Sequence, residues 1–308
     1  MQGARRAALV ALLGVAALAT YAPLSTAQVS DVPYVPTPSN VVDAMLGLAK
    51  VGPGDYVIDL GSGDGRIVIA AAKKYGARGF GVDIDGALVS QAEREARRQG
   101  VSDKVSFAAR NLFITDISQA SVITMYLFPQ VNMRLRPRFL KELKPGTRIV
   151  SHEFDMEAWQ PDEKVTVAVP DKPYGAPSSE VFLWIVPADA SGTWRWRTEG
   201  ATQDDEVTLE QHFQRLVGAG RVAGRPARLS AGHMRGEEIH LTLVADVDGR
   251  AVRHEFVGRL SGDAIRGTVL AQNAPPANSE WHARRIARGT MKVSAQTVQD
   301  MTIAEEQR

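Results

Sequence analysis

Three closely spaced glycines separate a short apolar run from a longer amphipathic run. Gly61, Gly63 and Gly65 lie within the segment DYVIDLGSGDGRIVIAAAKKYG. Glycine allows positive φ and a close approach of ligand to backbone, so a turn of this kind between a strand and a helix is typical of nucleotide-like ligand sites. A plain tight turn without a ligand is the alternative interpretation.

The dinucleotide-binding pattern Gly-x-Gly-x-x-Gly is not met, because Arg66 stands where its third glycine is required. Asp59, just before the turn, is a poor neighbour for a pyrophosphate but a good one for a cation or an ammonium group. These two residues disfavour a nicotinamide-dependent oxidoreductase. Asp83 ends the next apolar run in GFGVDID, where a carboxylate can accept hydrogen bonds from ribose hydroxyls.

Short apolar runs alternate with amphipathic runs across the first two thirds of the chain. The pattern predicts a doubly wound α/β sheet, since continuously apolar strands such as VIDL are typical of parallel sheets covered on both faces. The predicted strands are Tyr56–Leu60, Gly79–Val82, Val105–Ala108, Val122–Tyr126, Thr147–Ser151, Lys164–Val169 and Val181–Val186. The predicted helices are Val41–Lys50, with Ser39 and Asn40 as N-caps, Arg66–Tyr75, Gly86–Gln99 and Val131–Leu143. No helix separates the last two strands, so we expect an antiparallel hairpin at the sheet edge.

The pattern changes near Pro187. Ile239, Leu241 and Leu243 alternate with polar residues before an Asp-Gly turn, and several similar runs follow. We expect a second, small antiparallel β domain over residues 192–290, built as a barrel, with a polar tail at 291–308. Its core is predicted to contain three tryptophans, Trp194, Trp196 and Trp281.

The N-terminus is typical of an export signal. Arg5 and Arg6 precede the uncharged run Ala7–Ala19, which is shorter than the ~20 residues of a membrane span. Small residues then precede Gln28. We expect a signal peptide at residues 1–27 and a periplasmic or secreted protein, and membrane association only if the signal is not cleaved. An uncleaved anchor and an organellar targeting segment are the alternatives.

Composition excludes several classes of function. The chain of 308 residues has no cysteine, which removes thiol nucleophiles and cysteine-ligated metals. The formal net charge of +1 provides no general attraction for nucleic acid, so we expect no nucleic-acid partner. The six histidines are scattered and predict no metal site.

The glycine turn DLGSGDG and the acidic strand end GVDID together resemble the class I S-adenosyl-L-methionine-dependent methyltransferases, over roughly Pro33 to Pro187. The resemblance implies a Rossmann-like seven-stranded sheet whose last strand is antiparallel, in a domain over 41–187. It implies S-adenosyl-L-methionine as cofactor. The residues it assigns to the cofactor are Asp59, Gly61 and Gly63 for the methionine part, Asp83 for the ribose and Asn111 for the adenine.

Further segments narrow the resemblance: PYVPTP, NLFITDIS, YLFP and ELKPGTRIVSHEFDMEAWQPD. Together they are similar to the small methyltransferases that include the mitochondrial protein-lysine methyltransferases of the ATP synthase c-ring protein and the adenine nucleotide translocase. The resemblance implies N-methylation of lysine in a protein substrate. The predicted β domain and the predicted export signal depart from that family.

Candidate substrate-side residues are Tyr34, Asp116 and Tyr126, followed by His152 and Glu153. Asp116 would attract a cationic lysine and His152 would accept a proton near neutral pH. Each has a structural alternative: Tyr126 as core, Asp116 as a turn cap and His152 as a backbone hydrogen-bonding group. Tyr34, in the proline-rich arm over 28–40, would close over the cofactor.

A function of another class is also open at this point. A methyltransferase fold behind an export signal would serve as an exported binding protein if the chemistry had been lost. Cofactor affinity distinguishes the two functions.

Overall fold

The structure is a computed structural model that describes residues 34–173, 175–197, 202–271 and 279–293. The predicted signal peptide and most of the predicted polar tail lie outside the described residues. A seven-stranded sheet comes first in the chain and a closed eight-stranded barrel follows it. Among the described residues, no helix is both long and apolar enough to cross a membrane.

The first sheet has the strand order β3-β2-β1-β4-β5-β7-β6. Strands β1 to β5 are parallel, and β7 is antiparallel to both β5 and β6, which confirms the predicted sheet and its edge hairpin. The strands are β1 Tyr56–Leu60, β2 Arg78–Asp83, β3 Val105–Ala109, β4 Val122–Met125, β5 Arg148–His152, β6 Glu163–Ala168 and β7 Ser178–Ile185. The helices are α1 Ser39–Leu48, α2 Arg66–Tyr75, α3 Gly86–Arg98 and α4 Pro129–Glu142.

The apolar strands are buried on both faces, as their composition predicts. Successive residues Val57 and Ile58 of β1 point to opposite faces and are both fully covered. Val57 packs in a cluster with Met45 of α1, whereas Ile58 packs in a cluster with Phe139 of α4. The sheet is therefore the middle layer of three, which leaves its strand ends as the places where polar groups can meet a ligand.

The prediction of Ser39 and Asn40 as N-caps of the first helix was wrong. The helix begins at Ser39, and the preceding residue is Pro38 with φ −57° and ψ 147°. Pro38 takes the N-cap position with an extended ψ, so the helix begins two residues earlier than expected. Asn40 instead donates a hydrogen bond of 2.7 Å from Nδ2 to the carbonyl of Ala168 at the end of β6.

The second half forms the closed antiparallel barrel, which confirms the predicted β domain. Its strands are β8 Gly192–Trp196, β9 Asp205–His212, β10 Arg215–Val222, β11 Arg225–Arg235, β12 Glu238–Val247, β13 Arg250–Ser261, β14 Ala264–Ala271 and β15 Ser279–Arg288. Each strand pairs with its neighbour in the chain, and β15 closes on β8. Trp194, Trp196 and Trp281 are buried, with Trp281 and Trp196 meeting Phe256 edge to face at 5.0 and 5.3 Å.

One aromatic residue of the barrel belongs to the core of the sheet. Phe213, in the turn between β9 and β10, is 2% exposed and packs in the same cluster as Phe139 of α4. Its ring stacks on Trp159 with centroids 5.8 Å apart and an interplanar angle of 5°. The guanidinium of Arg136 lies 5.2 Å from the ring centroid. The barrel and the sheet therefore share a hydrophobic core at this turn.

Replacing Phe213 with alanine is expected to lower the free energy of unfolding by about 3–5 kcal/mol, because a fully buried ring is lost and a cavity remains. Urea denaturation followed by tryptophan fluorescence measures the change. Val257→Ala is the control, since Val257 is 46% exposed on the barrel surface and its loss should change stability by less than about 0.5 kcal/mol. Equal stability of the two variants would contradict the shared core.

Candidate functional site

The glycine turn joins the ends of β1 and β2. The backbone N–H groups of Gly61 and Ser62 both donate to the carbonyl of Val82, at 2.9 and 2.8 Å. Gly63 has φ +51°, and a Cβ there would lie 2.5 Å from Cε2 of Tyr34. Positive φ at position 63 favours glycine, and the Tyr34 ring packs directly on it.

Asp83 is held by backbone donors on both sides of its carboxylate. Oδ2 accepts from the N–H of Gly63 at 2.8 Å, and Oδ1 accepts from the N–H of Asp85 at 3.0 Å. A carboxylate oxygen has two acceptor positions, so each oxygen keeps one for a ligand. This arrangement suits a pair of neighbouring hydroxyl donors, as in the predicted contact with ribose.

Asp59 lies beneath the turn and is 2% exposed. Its Oδ1 accepts a 2.7 Å hydrogen bond from the hydroxyl of Thr124 on β4. Burial raises the pKa of Asp59 to about 7, the Thr124 hydrogen bond opposes that increase, and the charges of Asp83 and Asp64 add to it. Three carboxylates therefore converge near the turn. A cationic ligand would stabilise the ionised form of the buried carboxylate most strongly.

Arg66 explains why the third glycine of a dinucleotide site is absent. Its Nε and one terminal nitrogen bind the two carboxylate oxygens of Asp64 at 2.9 and 2.7 Å. The other terminal nitrogen donates at 2.9 Å to the carbonyl of Thr37 in the proline-rich arm. The arginine ties the arm to the turn, and the ring of Tyr34 packs over Gly63. The predicted contact of Tyr34 with a cofactor stays a prediction.

Asn111 lies just after β3, at the carboxyl-terminal ends of the parallel strands, where Asp83 also lies. The N–H of Arg110 donates at 2.8 Å to the carbonyl of Asp83, which fixes the position of this segment next to β2. Oδ1 of Asn111 accepts from the N–H of Phe113 at 2.8 Å and caps the short 3-10 helix Leu112–Ile114. The structure thus brings Asn111 to the edge that carries Asp83, and the predicted adenine contact stays a prediction.

Tyr126 and His152 follow β4 and end β5, and their ring centroids are 4.0 Å apart. His152 is buried, with Nδ1 hydrogen bonded to the Thr37 hydroxyl at 3.3 Å and Nε2 to the Ser179 hydroxyl at 3.0 Å. Burial lowers the pKa of His152 to about 4, an effect that Glu153 opposes and Lys172 strengthens. At neutral pH the ring is uncharged and both of its nitrogens are engaged, which does not fit the predicted proton acceptor.

Asp116 does not join the other candidates. It is exposed, and its Oδ1 accepts from the N–H of Ser118 at 2.9 Å, the turn-capping alternative. Burial raises the pKa of Tyr56, the first residue of β1, and the nearby Asp116 carboxylate adds to that increase. Asp116 therefore lies near the amino-terminal ends of the strands, whereas the glycine turn lies at their carboxyl-terminal ends. The connection between β3 and β4 has already crossed from one end of the strands to the other at that point.

Sequence reasoning missed several residues of this edge. Thr124 has no pattern of its own, and only its position in β4 opposite Asp59 reveals its role. Phe154 stacks on Tyr126 with ring centroids 6.2 Å apart, and Phe128 meets Phe154 edge-on at 6.0 Å. Lys172, in the turn that joins β6 and β7, pairs with Glu153, which directly follows β5. Among the described residues, no cluster of acidic or histidine side chains could hold a metal ion.

The shifted pKa values of Asp59 and His152 have opposite effects on stability. In the folded protein the pKa of Asp59 is about 7, above its ordinary 3.8. The stabilisation of the folded state by Asp59 is therefore fully present below about pH 4 and is lost as the pH rises through 7. The folded pKa of His152, about 4, lies below its ordinary 6.5, so its contribution is lost as the pH falls from 6.5 through 4.

Asp59→Asn should therefore gain stability relative to the wild type as the pH rises from about 4 to about 8. The expected relative gain is a few kcal/mol, because a tenfold change in proton affinity is worth about 1.4 kcal/mol. Urea denaturation of both proteins at the two pH values measures it. A stability difference that is the same at both pH values would contradict a buried carboxyl at this position.

The chain shows clear similarity to known methyltransferases. Residues 59–163 match the family described as the ANTKMT methyltransferase domain. The protein-lysine N-methyltransferase of Saccharolobus islandicus (strain REY15A) is 48% identical over 159 residues, which cover 51% of this chain and 96% of that protein. The adenine nucleotide translocase lysine N-methyltransferase of Mus musculus is 35% identical over 131 residues, covering 42% of this chain and 57% of that protein.

A solved structure, titled as an RNA methyltransferase from Salinibacter ruber in complex with S-adenosyl-L-homocysteine, is 49% identical. The match covers 50% of this chain and 95% of that chain, with a TM-score of 0.46. Each of these three matches spans about half of the present chain or somewhat less. The resemblance found from the motifs is confirmed by the two lysine methyltransferases, and the chain belongs to the protein-lysine N-methyltransferase family.

Proposed function

We propose that the protein uses S-adenosyl-L-methionine to methylate the side-chain amine of lysine in a protein substrate. The observation that carries the proposal is the acidic edge built by Asp83, clamped by the N–H of Gly63, and the buried Asp59. The named lysine methyltransferases among the relatives support a protein substrate and do not favour the alternative of a catalytically silent binding protein.

The residues of this edge fit the proposed cofactor. S-adenosyl-L-methionine carries a sulfonium and an ammonium group, a ribose diol and no phosphate, so carboxylates suit it better than basic side chains. Asp59, with Gly61 and Gly63, would hold the positively charged methionine part. Asp83 would accept from the ribose hydroxyls, and its two backbone donors hold the carboxylate in a fixed orientation.

Two further residues complete this assignment. Asn111 would contact the adenine, next to Asp83 on the adjacent strand. Tyr34 would cover the cofactor from the arm, held there by the hydrogen bond from Arg66 to Thr37. The hydrogen bonds described above already hold the segment after β3, which carries Asn111, and the arm, which carries Tyr34, beside the glycine turn.

The cofactor supplies a methyl group bonded to a positively charged sulfur. The substrate amine would first release its proton to solvent, and its lone pair would then form the new nitrogen–carbon bond while the methyl carbon–sulfur bond breaks and the sulfur leaves as a neutral thioether. The chain's own residues orient the amine and exclude water, which accounts for most of the rate gain in such displacements. Among the residues predicted as catalytic, we assign this orienting role to Tyr126, whereas His152 fixes the arm through Thr37. We assign no role in transfer to Asp116.

Asp83→Ala should weaken the binding of S-adenosyl-L-methionine by at least about 100-fold, since hydrogen bonds to a charged acceptor contribute roughly 1.5–3 kcal/mol each. Calorimetric titration of the full chain measures the dissociation constant. Asp116→Ala is the matched control and should bind like the wild type, because that carboxylate lies near the amino-terminal ends of the strands. Loss of binding in both variants, or in neither, would count against the proposed site.

The prediction of an export signal concerns residues outside the described part of the chain. We propose that residues 1–27 are removed on export, on the basis of the basic, apolar and small-residue pattern alone. Mass spectrometry of the protein recovered from the cell envelope should then find Gln28 at its N-terminus. An intact Met1 in that fraction would contradict cleavage. No observation supports association with a membrane.

A further inference from the structure

Three aromatic side chains, Tyr126, Phe128 and Phe154, lie together where β4 and β5 end, and we call them the aromatic cluster. Tyr126 and Phe154 stack with centroids 6.2 Å apart, and Phe128 meets Phe154 edge-on at 6.0 Å. All three are partly exposed, whereas Leu127 between them is buried. Leu127 packs on the glycine turn, since a Cβ on Gly61 would lie 2.9 Å from its Cδ2. The cluster is therefore next to the proposed cofactor site.

The backbone that carries Phe154 is fixed by an unusual conformation and several hydrogen bonds. Glu153 has φ +68°, a left-handed conformation that is uncommon for a residue with a side chain and often marks functional sites. The N–H of Phe154 donates to the carbonyl of His152 at 2.9 Å. Its carbonyl accepts from the Ser151 hydroxyl and from Nδ2 of Asn132, the latter at 3.3 Å. The fold thus holds this ring against Tyr126.

Phe128 and Phe154 take part in none of the cation–ring contacts found among the described residues. Those contacts involve five other rings, those of Tyr56, Phe113, Phe182, Trp194 and Phe213. His152, packed on Tyr126, is uncharged at neutral pH, and the nearby Lys172 is paired with Glu153. The faces of the two phenylalanine rings can therefore receive a positive charge from outside the chain.

We propose that the aromatic cluster holds the ammonium group of the substrate lysine by cation–π contact before methyl transfer. The inference rests on the proposed function. A cation is attracted to a ring face within about 6 Å of the centroid, and desolvation at a partly buried site strengthens the attraction. Methyl groups added to the nitrogen preserve its charge, so the same surface also accepts a lysine that already carries methyl groups.

A charge comparison that needs no turnover tests the proposal. The probes are two short peptides, one with trimethyl-lysine and one with its neutral tert-butyl analogue, in which carbon replaces the charged nitrogen. Their binding to the full chain loaded with S-adenosyl-L-homocysteine is measured by NMR titration. The charged peptide should bind more tightly by about five- to thirty-fold. Equal affinity of the two peptides would overturn the proposal.

Substitutions in the aromatic cluster test whether its rings cause the preference for the charged peptide over the neutral one. Phe154→Leu and Phe128→Leu keep apolar volume but remove a ring, and each should reduce the preference, whereas Phe154→Tyr should retain it. Phe113→Leu is the matched control, because Phe113 is a partly buried ring at the same edge but outside the cluster. A purely structural role of the rings would leave the preference unchanged in all variants and would also overturn the proposal.

Binding of S-adenosyl-L-homocysteine distinguishes a failure of the proposed function from a failure of the aromatic cluster as the lysine site. Each leucine variant should bind S-adenosyl-L-homocysteine within about two-fold of the wild type, because the rings are placed on the substrate side. Wild type that binds no cofactor would refute the proposed function. Wild type that binds cofactor but shows no charge preference would refute only the aromatic cluster as the lysine site.

Discussion

The hydrogen bond from the N–H of Gly63 to the carboxylate of Asp83 joins the turn after β1 to the end of β2, and the whole edge depends on it. Gly63 makes this bond with a φ of +51°, and its backbone packs against the ring of Tyr34 in the arm. The bond also fixes Asp83 at the carboxyl ends of the parallel strands, where an α/β sheet binds ligands. Arg66 then ties the arm to the turn, so one backbone contact orders three separate segments.

Local patterns were sufficient for the strands, the glycine turn and Asp83, because strand burial and positive φ leave clear signals in a sequence. They were insufficient for Asp116, since a sequence does not show at which point a connection has crossed from one end of the strands to the other. Phe154 was missed because its position depends on the left-handed conformation of Glu153, which no residue type announces. Phe213 was missed because it lies in a turn of the barrel yet packs in the sheet core.

The barrel is joined to the sheet by more than the linker. Gln214 donates from Nε2 at 2.6 Å to the carbonyl of Gln160, and Arg235 pairs with Glu163 at 2.7 Å. Gln214 and Gln160 directly follow the stacked residues Phe213 and Trp159 in the sequence. The loop that carries Trp159 begins at the end of β5, directly after the aromatic cluster. The barrel thus supports the segment that forms one side of the proposed substrate site.

The most direct test of the account is methyl transfer itself. The full chain is incubated with S-adenosyl-L-methionine carrying a deuterated methyl group and with unfractionated acceptor proteins, and the products are analysed by tandem mass spectrometry. Deuterated methyl groups are expected on lysine side-chain nitrogens with the wild type, and none when Asp83→Ala replaces it. Deuterated methyl groups on other side chains, with lysine unmodified, would contradict the account.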